Sequence, residues 1–203
     1  MQEADLYLTM VDFCRYWPAN AEISCDDFMT RLAAGGVNIA DYGFLTPSQA
    51  HAFKLVLEAK TYLPSVPQLT MPQPMEKGLF PINEPDESSP VIVTGNNRLT
   101  FEVLGTIWAH GVTPAYFLLV DCLGSTVDMA MVYKDFTPAR LVQAVTESGL
   151  ERIVRHRHMM VPGFTAPLAK DFAAATNWEI EVGPVCAVEL PLFLGDRWIF
   201  SGK

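Results

Sequence analysis

At 203 residues, half of them apolar and 18% charged, the chain holds enough apolar material to bury the core of one substantial domain with a small appendage. Asp and Glu outnumber Lys and Arg by 23 to 14, a formal net charge of -9, which argues against nucleic acid or anionic lipid as partner, since both call for clustered cations. No apolar run approaches the roughly 18 residues of a membrane span, and Glu3 and Asp5 break the basic-then-apolar layout of a signal peptide, so a cytoplasmic protein is expected.

In chain order, residues 1–63 read as a small helical domain. An apolar run at Leu6, Leu8, Met10, Val11 and Phe13 comes first. Ser24 or Asp26 then caps a helix through Phe28 and Leu32 that Gly35-Gly36 closes, and Thr46-Pro47 opens another that runs to about Tyr62. Residues 64–89, with Pro64, Pro67, Pro72, Pro74, Pro81 and Pro85, read as an extended connector. Residues 90–203 alternate: strands are predicted over 91–94, 116–121, 153–161 and 179–182, and helices over 99–109, 138–148, 166–175 and 187–194. Such alternation implies an α/β, Rossmann-like fold, a mainly parallel sheet with helices on both faces. Each apolar run ends at once in Gly, Asn or Pro, so the loops that follow collect on the ligand-binding edge of an open sheet. Residues 126–133 alternate like a strand after a Gly-Ser turn, and period alone does not decide their conformation.

No conventional catalytic set is visible, and no residue is nominated as catalytic. Nucleophile elbow, Walker loop and His-Glu-x-x-His helix are all missing, and Gly95-Asn96-Asn97-Arg98 lacks the glycines of a dinucleotide fingerprint. His156 and His158 would share a strand face, but Arg155 and Arg157 flank them and no carboxylate or thiol is placed beside them by the sequence. Cys14, Cys25, Cys122 and Cys186 are scattered without a Cys-x-x-Cys pair, so free thiols are expected rather than disulfides or a metal site.

Between Pro90 and Trp198 stand, in order, Thr94-Gly95-Asn96-Asn97-Arg98-Leu99-Thr100, Val120-Asp121-Cys122-Leu123-Gly124-Ser125, Val161-Pro162-Gly163 and Val182-Gly183-Pro184, and with these phrases the stretch resembles the C-terminal cobalamin-binding domain of the large (gamma) subunit of the corrinoid iron-sulfur protein of the acetyl-CoA pathway. Thr94-Gly95-Asn96-Asn97-Arg98-Leu99-Thr100 looks like that family's first strand-to-helix loop, with Asn97 in place of an aromatic residue. Val120-Asp121-Cys122-Leu123-Gly124-Ser125 resembles its Val-Asp-Thr-Glu-Gly loop. Residues 127–137 align without a gap to the segment that caps the corrin ring in the family, Met129 falling on a Thr beside the cobalt's lower face and Met131 on a Trp. Val161-Pro162-Gly163 and Val182-Gly183-Pro184-Val185-Cys186-Ala187 complete the match, the latter departing at Val185 and Cys186.

The resemblance implies cobalamin held by Thr94, Gly95, Asn96, Asn97, Leu99, Thr100, Thr126, Met129, Ala130, Met131, Val132, Pro162, Gly163, Gly183, Pro184, Val185 and Ala187. Such a pocket needs small residues that admit backbone and polar ones for peripheral amides and phosphate. No histidine stands in the Asp-x-His-x-x-Gly arrangement by which many cobalamin domains supply a lower axial imidazole, so binding without such a histidine is expected, with the cofactor held base-off on the leading reading. Met129 either makes a weak axial contact to cobalt or fills the core.

Tyr16-Trp17-Pro18, Ser24-Cys25 and Asp41-Tyr42-Gly43 resemble in part the four-iron cluster domain that opens the same subunit, Cys25 matching the third ligand and Tyr42 replacing the fourth. One thiolate cannot hold a four-iron cluster, so none is expected. The barrel between the two family domains has no counterpart. Two functions stay open on this reading: a methyl carrier of a corrinoid-dependent methyltransferase system, served by a barrel-type methyltransferase or corrinoid-protein small subunit and a reductive activator; or a non-catalytic module that docks on such a methyltransferase or activator without holding cofactor.

Overall fold

The computed structural model describes residues 11–35, 38–65 and 71–200. The predicted apolar run is therefore seen only from Val11 onward, and Leu6, Leu8, Met10 and Gly36 lie outside the described residues. Helices α1 (Cys25–Ala33), α2 (Pro47–Leu57) and α3 (Ala59–Tyr62) form the first layer, with 3-10 turns at Phe13–Tyr16 and Ile39–Asp41. Ser24 caps α1 by accepting from the Asp27 N–H, and Thr46 and Gln49 cap α2 reciprocally. Helices this short are marginal in isolation. What holds them is an aromatic cluster: the rings of Phe13, Trp17, Phe28 and Phe53 lie 4.7 to 6.1 Å apart, and each fully buried ring contributes about 1.5–3 kcal/mol.

This packing corrects the expectation of four free thiols. Docking of the Phe13–Tyr16 turn on α1 brings the Cα atoms of Cys14 and Cys25 to 5.5 Å, and the two form a disulfide. Their proximity is a product of tertiary packing, which spacing along the chain does not encode. Cys122 and Cys186 are free and buried, and burial pushes their thiols up to about 12 and about 11.

The sheet comprises β1 (Gly78–Ile82), β2 (Val91–Gly95), β3 (Ala115–Val120), β4 (His158–Val161) and β5 (Glu179–Val182) in the order β1-β3-β2-β4-β5. Only β1 runs antiparallel. Strand β3 is buried on both faces and reads Ala-Tyr-Phe-Leu-Leu-Val, the continuous apolar run of a covered parallel strand. Its side chains alternate between two cores. Phe117 and Leu119 join Ile92, the helical layer, α4 (Arg98–Trp108) and α8 (Leu190–Leu194). Tyr116, Leu118 and Val120 join Val91, Val93, α5 (Val127–Val132), α6 (Pro138–Ser148) and α7 (Ala169–Thr176) on the other face. The result is the Rossmann-like α/β arrangement expected, with helices on both faces. The helical layer is continuous with one of these cores, and Trp198 ties its far side by donating from Nε1 to His51 Nδ1.

Three differences from the sequence reading have local causes. Within the proline-rich stretch read as connector, Gly78–Ile82 forms β1; Pro81 is tolerated because the strand lies at the sheet edge. Residues 127–132, ambiguous by period, are helical: Val127 and Ala130, three apart, are buried on one face. The strand predicted over 153–161 is confined to His158–Val161, because a left-handed Gly149 starts a 3-10 turn at Leu150–Arg152 and Arg155 N–H then bonds Glu87 O instead of a strand neighbour.

Candidate cofactor-binding edge of the sheet

Parallel pairing of β2 with β3 and β4, and of β4 with β5, sends the carboxyl ends of these four strands to one edge. Residues 94–100, 126–132, 162–163 and 183–187 are thereby brought together. From β2 the chain winds outward to β3 and then crosses back to β4, so the winding reverses between β2 and β4, the place where open α/β sheets form a crevice. Helix α5 contacts both β2 and the Gly163–Leu168 turn after β4, which sets it across that reversal point.

On the β2–β3 side the edge is closed. Asn96 Oδ1 accepts from the N–H groups of Cys122 (2.7 Å) and Gly124 (3.2 Å), and its Nδ2 donates to Met75 O (3.2 Å) and Asp121 Oδ1 (3.4 Å). Asn97, 1% exposed, accepts from Thr100 N–H as the cap of α4 and donates to Gly124 O at 2.6 Å. Over these loops runs a strap. Gln73 N–H donates to Gly124 O, Arg98 N–H to Gln73 O and Met75 N–H to Asn96 O, at 2.8 to 3.0 Å. Gly124 is required beneath it, since its φ of +78° favours glycine and a Cβ would lie 2.3 Å from Pro74 N. Thr94 is buried as well. The polar groups that the resemblance assigns to a cofactor's rim are here bound to the chain itself. A nearby cavity of about 240 Å³ between β1, β3 and α6 is small for a tetrapyrrole-sized group and is spanned by the Lys77–Glu147 ion pair, 3.1 Å.

On the side of α5, β4 and β5 the edge is open. Thr126 stands at the N-cap position of α5 but makes no capping bond, and its Oγ1 is buried without a hydrogen-bond partner. Such a group costs about 1–3 kcal/mol unless something satisfies it. Ala130 is buried, and Met131 packs against the core of that face. Met129 is half-buried and, among the described residues, belongs to neither core. Val132, Tyr133, Phe164 and Val185 expose apolar surface on α5 and on the β4 and β5 loops. Those loops are stitched closely: Gly163 N–H donates to Pro184 O at 2.9 Å, and a Cβ on Gly163 would sit 2.6 Å from Val185 N. Gly183 and Pro184 are buried, Pro162 and Ala187 half-buried. For a large, mostly apolar group with polar rim substituents, this half fits: it offers apolar surface, glycine-tight loops and one unpartnered hydroxyl. The β2–β3 half offers no free polar side chain among Asn96 and Asn97.

The histidines are engaged elsewhere. His156 Nε2 donates to Ser89 O at 3.0 Å and its Nδ1 accepts from His158 N–H, while His158 Nε2 lies 3.5 Å from Glu181. Among the described residues no group of three or more His, Cys, Asp or Glu side chains forms a metal site, and no described helix is long and apolar enough to cross a membrane. Sequence reasoning missed the strap, whose signal was Pro72-x-Pro74, a segment preset to extended backbone. It also missed Tyr16 and Glu189, which no motif links: Tyr16 Oη donates to Glu189 Oε2 at 2.9 Å. Burial raises both above their ordinary pKa values, with mutual charge repulsion adding to the shift at Tyr16.

Comparison with known proteins gives this edge a context. The chain is similar to the gamma subunit of the acetyl-CoA decarbonylase/synthase complex from Methanopyrus kandleri, 34% identical over 123 residues that cover 61% of this chain and 27% of the relative. It is also 34% identical over 128 residues to the gamma subunit from Methanocaldococcus jannaschii, covering 63% and 26%, and 31% identical over 123 residues to that from Methanothermobacter thermautotrophicus, covering 61% and 27%. The chain thus spans about a quarter of the length of these relatives. A family profile described as CO dehydrogenase/acetyl-CoA synthase delta subunit matches residues 40–194, which takes in α2, the strap, the whole sheet and α8, and the chain belongs to that family.

Proposed function

We propose that this chain is a corrinoid-binding domain that carries a methyl group between partner methyltransferases. The observation that carries the reading is the open half of the edge: α5 set across the reversal point, with the Thr126 hydroxyl buried and unpartnered at its start. Relatives named as subunits of the acetyl-CoA decarbonylase/synthase complex support a role in one-carbon chemistry. The contact residues are Thr126, Met129, Val132, Pro162, Gly163, Pro184 and Val185, while 94–100 serve to position the edge. A bound corrinoid supplies a cobalt centre able to accept and release methyl. The chain's part would be to seat the ring, exclude water with the apolar α5 face, and offer no imidazole to the metal. His156 and His158, held by Ser89 and Glu181, would offer the metal no imidazole, and base-off binding without a protein histidine is the form this reading expects. Met129 would help hold the group as a weak, soft neighbour.

The site is completed by a separate barrel-type methyltransferase or corrinoid-protein small subunit, with a reductive activator. No iron-sulfur cluster is held in this reading, since Cys25 is bonded to Cys14. Anaerobic mixing with cobalamin, followed by gel filtration and visible spectroscopy, tests the assignment. Co-elution of one corrinoid per chain with a base-off spectrum is expected; elution of colourless protein at micromolar concentrations overturns it. A second reading, a docking module without cofactor, draws on the strap's occupation of the β2–β3 half. Colourless protein that still binds a corrinoid methyltransferase would favour it.

A further inference from the structure

We propose that Cys14 and Cys25 are a redox-responsive pair that tightens or loosens the helical layer and, through Tyr16 and Glu189, the loop after β5. The disulfide joins the Phe13–Tyr16 turn to the first residue of α1 and closes a loop with a sequence separation of 11. The segment it encloses has little regular structure. It is held by local turns, Trp17 N–H to Cys14 O and Ala21 N–H to Pro18 O, and by Trp17 Nε1 donating to Ile23 O at 2.9 Å. Closing such a loop removes freedom that these bonds alone leave in place. Opening it does not detach the layer, because Phe13 and Trp17 remain stacked on Phe28 and Phe53.

Two further observations make the bond responsive rather than merely structural. Cys14 is exposed, so a reductant reaches its sulfur, and exposed disulfides are the labile ones. Tyr16 shares the turn with Cys14 and donates to Glu189, 3% exposed, in the Ala187–Glu189 turn directly after the β5 loop. The turn that carries the cysteine therefore carries Tyr16 Oη, which with the Asp12 N–H just before the turn donates to a buried carboxylate remote in sequence.

In the reductive step a thiolate of a small dithiol attacks Cys14 Sγ, the Sγ–Sγ bond breaks, and Cys25 leaves as thiolate and takes a proton from water. The dithiol's second thiolate then displaces Cys14, two electrons pass to the protein, and the reductant departs as a cyclic disulfide. With the staple open, the Phe13–Tyr16 turn and Asp12 before it shift, Glu189 loses the donors they supply, and residues 183–189 loosen.

Thiol alkylation and hydrogen exchange test this without cofactor. After treatment with oxidised glutathione and denaturation, two alkylated thiols per chain are expected, Cys122 and Cys186; after dithiothreitol, four. Reduction is expected to raise amide exchange several-fold at 12–24 and at 183–189 while α6 stays unchanged, and to lower the melting temperature by roughly 5–10 °C. The double variant Cys14→Ser, Cys25→Ser should exchange like reduced protein whatever the redox state. In Tyr16→Phe, reduction should raise exchange at 12–24 as in the parent, with a smaller change at 183–189 than the parent shows, the Asp12 N–H being the remaining link to Glu189. Four alkylated thiols after oxidation, or equal exchange at 183–189 in the oxidised and reduced wild-type protein, overturns the proposal.

Discussion

The two halves of the sheet's carboxyl edge use similar residues for opposite ends. On the β2–β3 half, Asn96 and Gly124 bond the chain's own strap at Met75 and Gln73, and Asn97 ties Gly124 to the start of α4. On the half formed by α5, β4 and β5, Thr126 has no partner and apolar side chains face solvent. A polar residue at a strand end is thus a structural clamp or a ligand group according to what lies above it. A single loop motif does not reveal which. The energetic asymmetry follows: satisfied buried polar groups stabilise the closed half, and one unsatisfied hydroxyl costs the open half.

The largest effect that breaks this contrast is expected from Gly124→Val. A β-branched residue at φ +78° is strained, and its Cβ meets the Pro74 backbone at 2.3 Å, so the strap must lift. A loss of about 3 kcal/mol in urea unfolding is expected; a loss below about 0.5 kcal/mol, the level of an ordinary surface change, would mean the strap is not docked. Asn97→Ala follows. It removes the α4 cap and the bond to Gly124 O, at a cost of about 2 kcal/mol. Corrinoid affinity, measured on the folded variant, should change less than stability does, because Asn97 holds the edge rather than the ligand. A large affinity loss at intact fold would move the contact surface onto the closed half.

The alternation of strands and helices was legible because β2, β3 and β4 are covered and their runs stay largely apolar, while the edge strand β5 alternates as Glu-Ile-Glu-Val, and the loops after them break at Gly, Asn or Pro. The reversal of winding between β2 and β4 was not, since strand order depends on contacts between distant segments. The same holds for the disulfide, where Cys14 and Cys25 meet through aromatic packing, and for the strap, where Gln73 finds Gly124 across some fifty residues of chain. Asn96 and Asn97 were legible as functional types but not in their role, because satisfaction is decided by neighbours the sequence places elsewhere.

A smaller effect, of opposite sign, is expected on the support of the open half. Glu189 is buried in the turn after the β5 loop, and burial, the chief cause, raises its pKa above the ordinary 4.5, with the Tyr16 hydrogen bond and Arg15 opposing. The Asp12 backbone N–H also bonds the carboxylate and opposes the shift, but burial prevails and the protonated form is favoured in the folded state. Its stabilising contribution is therefore full below the ordinary value and lost as pH rises through the raised one. Glu189→Gln keeps an acceptor for Tyr16 and removes the charge. The variant should gain melting temperature over the parent at pH 8 and approach it at pH 4. A difference that does not grow with pH would show that the carboxylate is relieved by other means.

The smallest change in stability, and the sharpest test of the contrast, is expected from Thr126→Val. The two side chains have nearly the same shape, so packing of α5 is kept while the hydroxyl is lost. In the closed half such a loss would leave a partner unsatisfied; here Oγ1 has none, so the cofactor-free protein should stay within about 1 kcal/mol of the parent or gain stability. If the hydroxyl waits for a polar group on the corrin rim, the variant should bind cobalamin about tenfold more weakly, the factor that about 1.4 kcal/mol of lost hydrogen bonding supplies. Parallel urea unfolding and anaerobic cobalamin titration separate the two quantities. Stability lost with affinity unchanged would put Thr126 with Asn97 among the clamps, and the open half would then lose its one polar handle on a ligand.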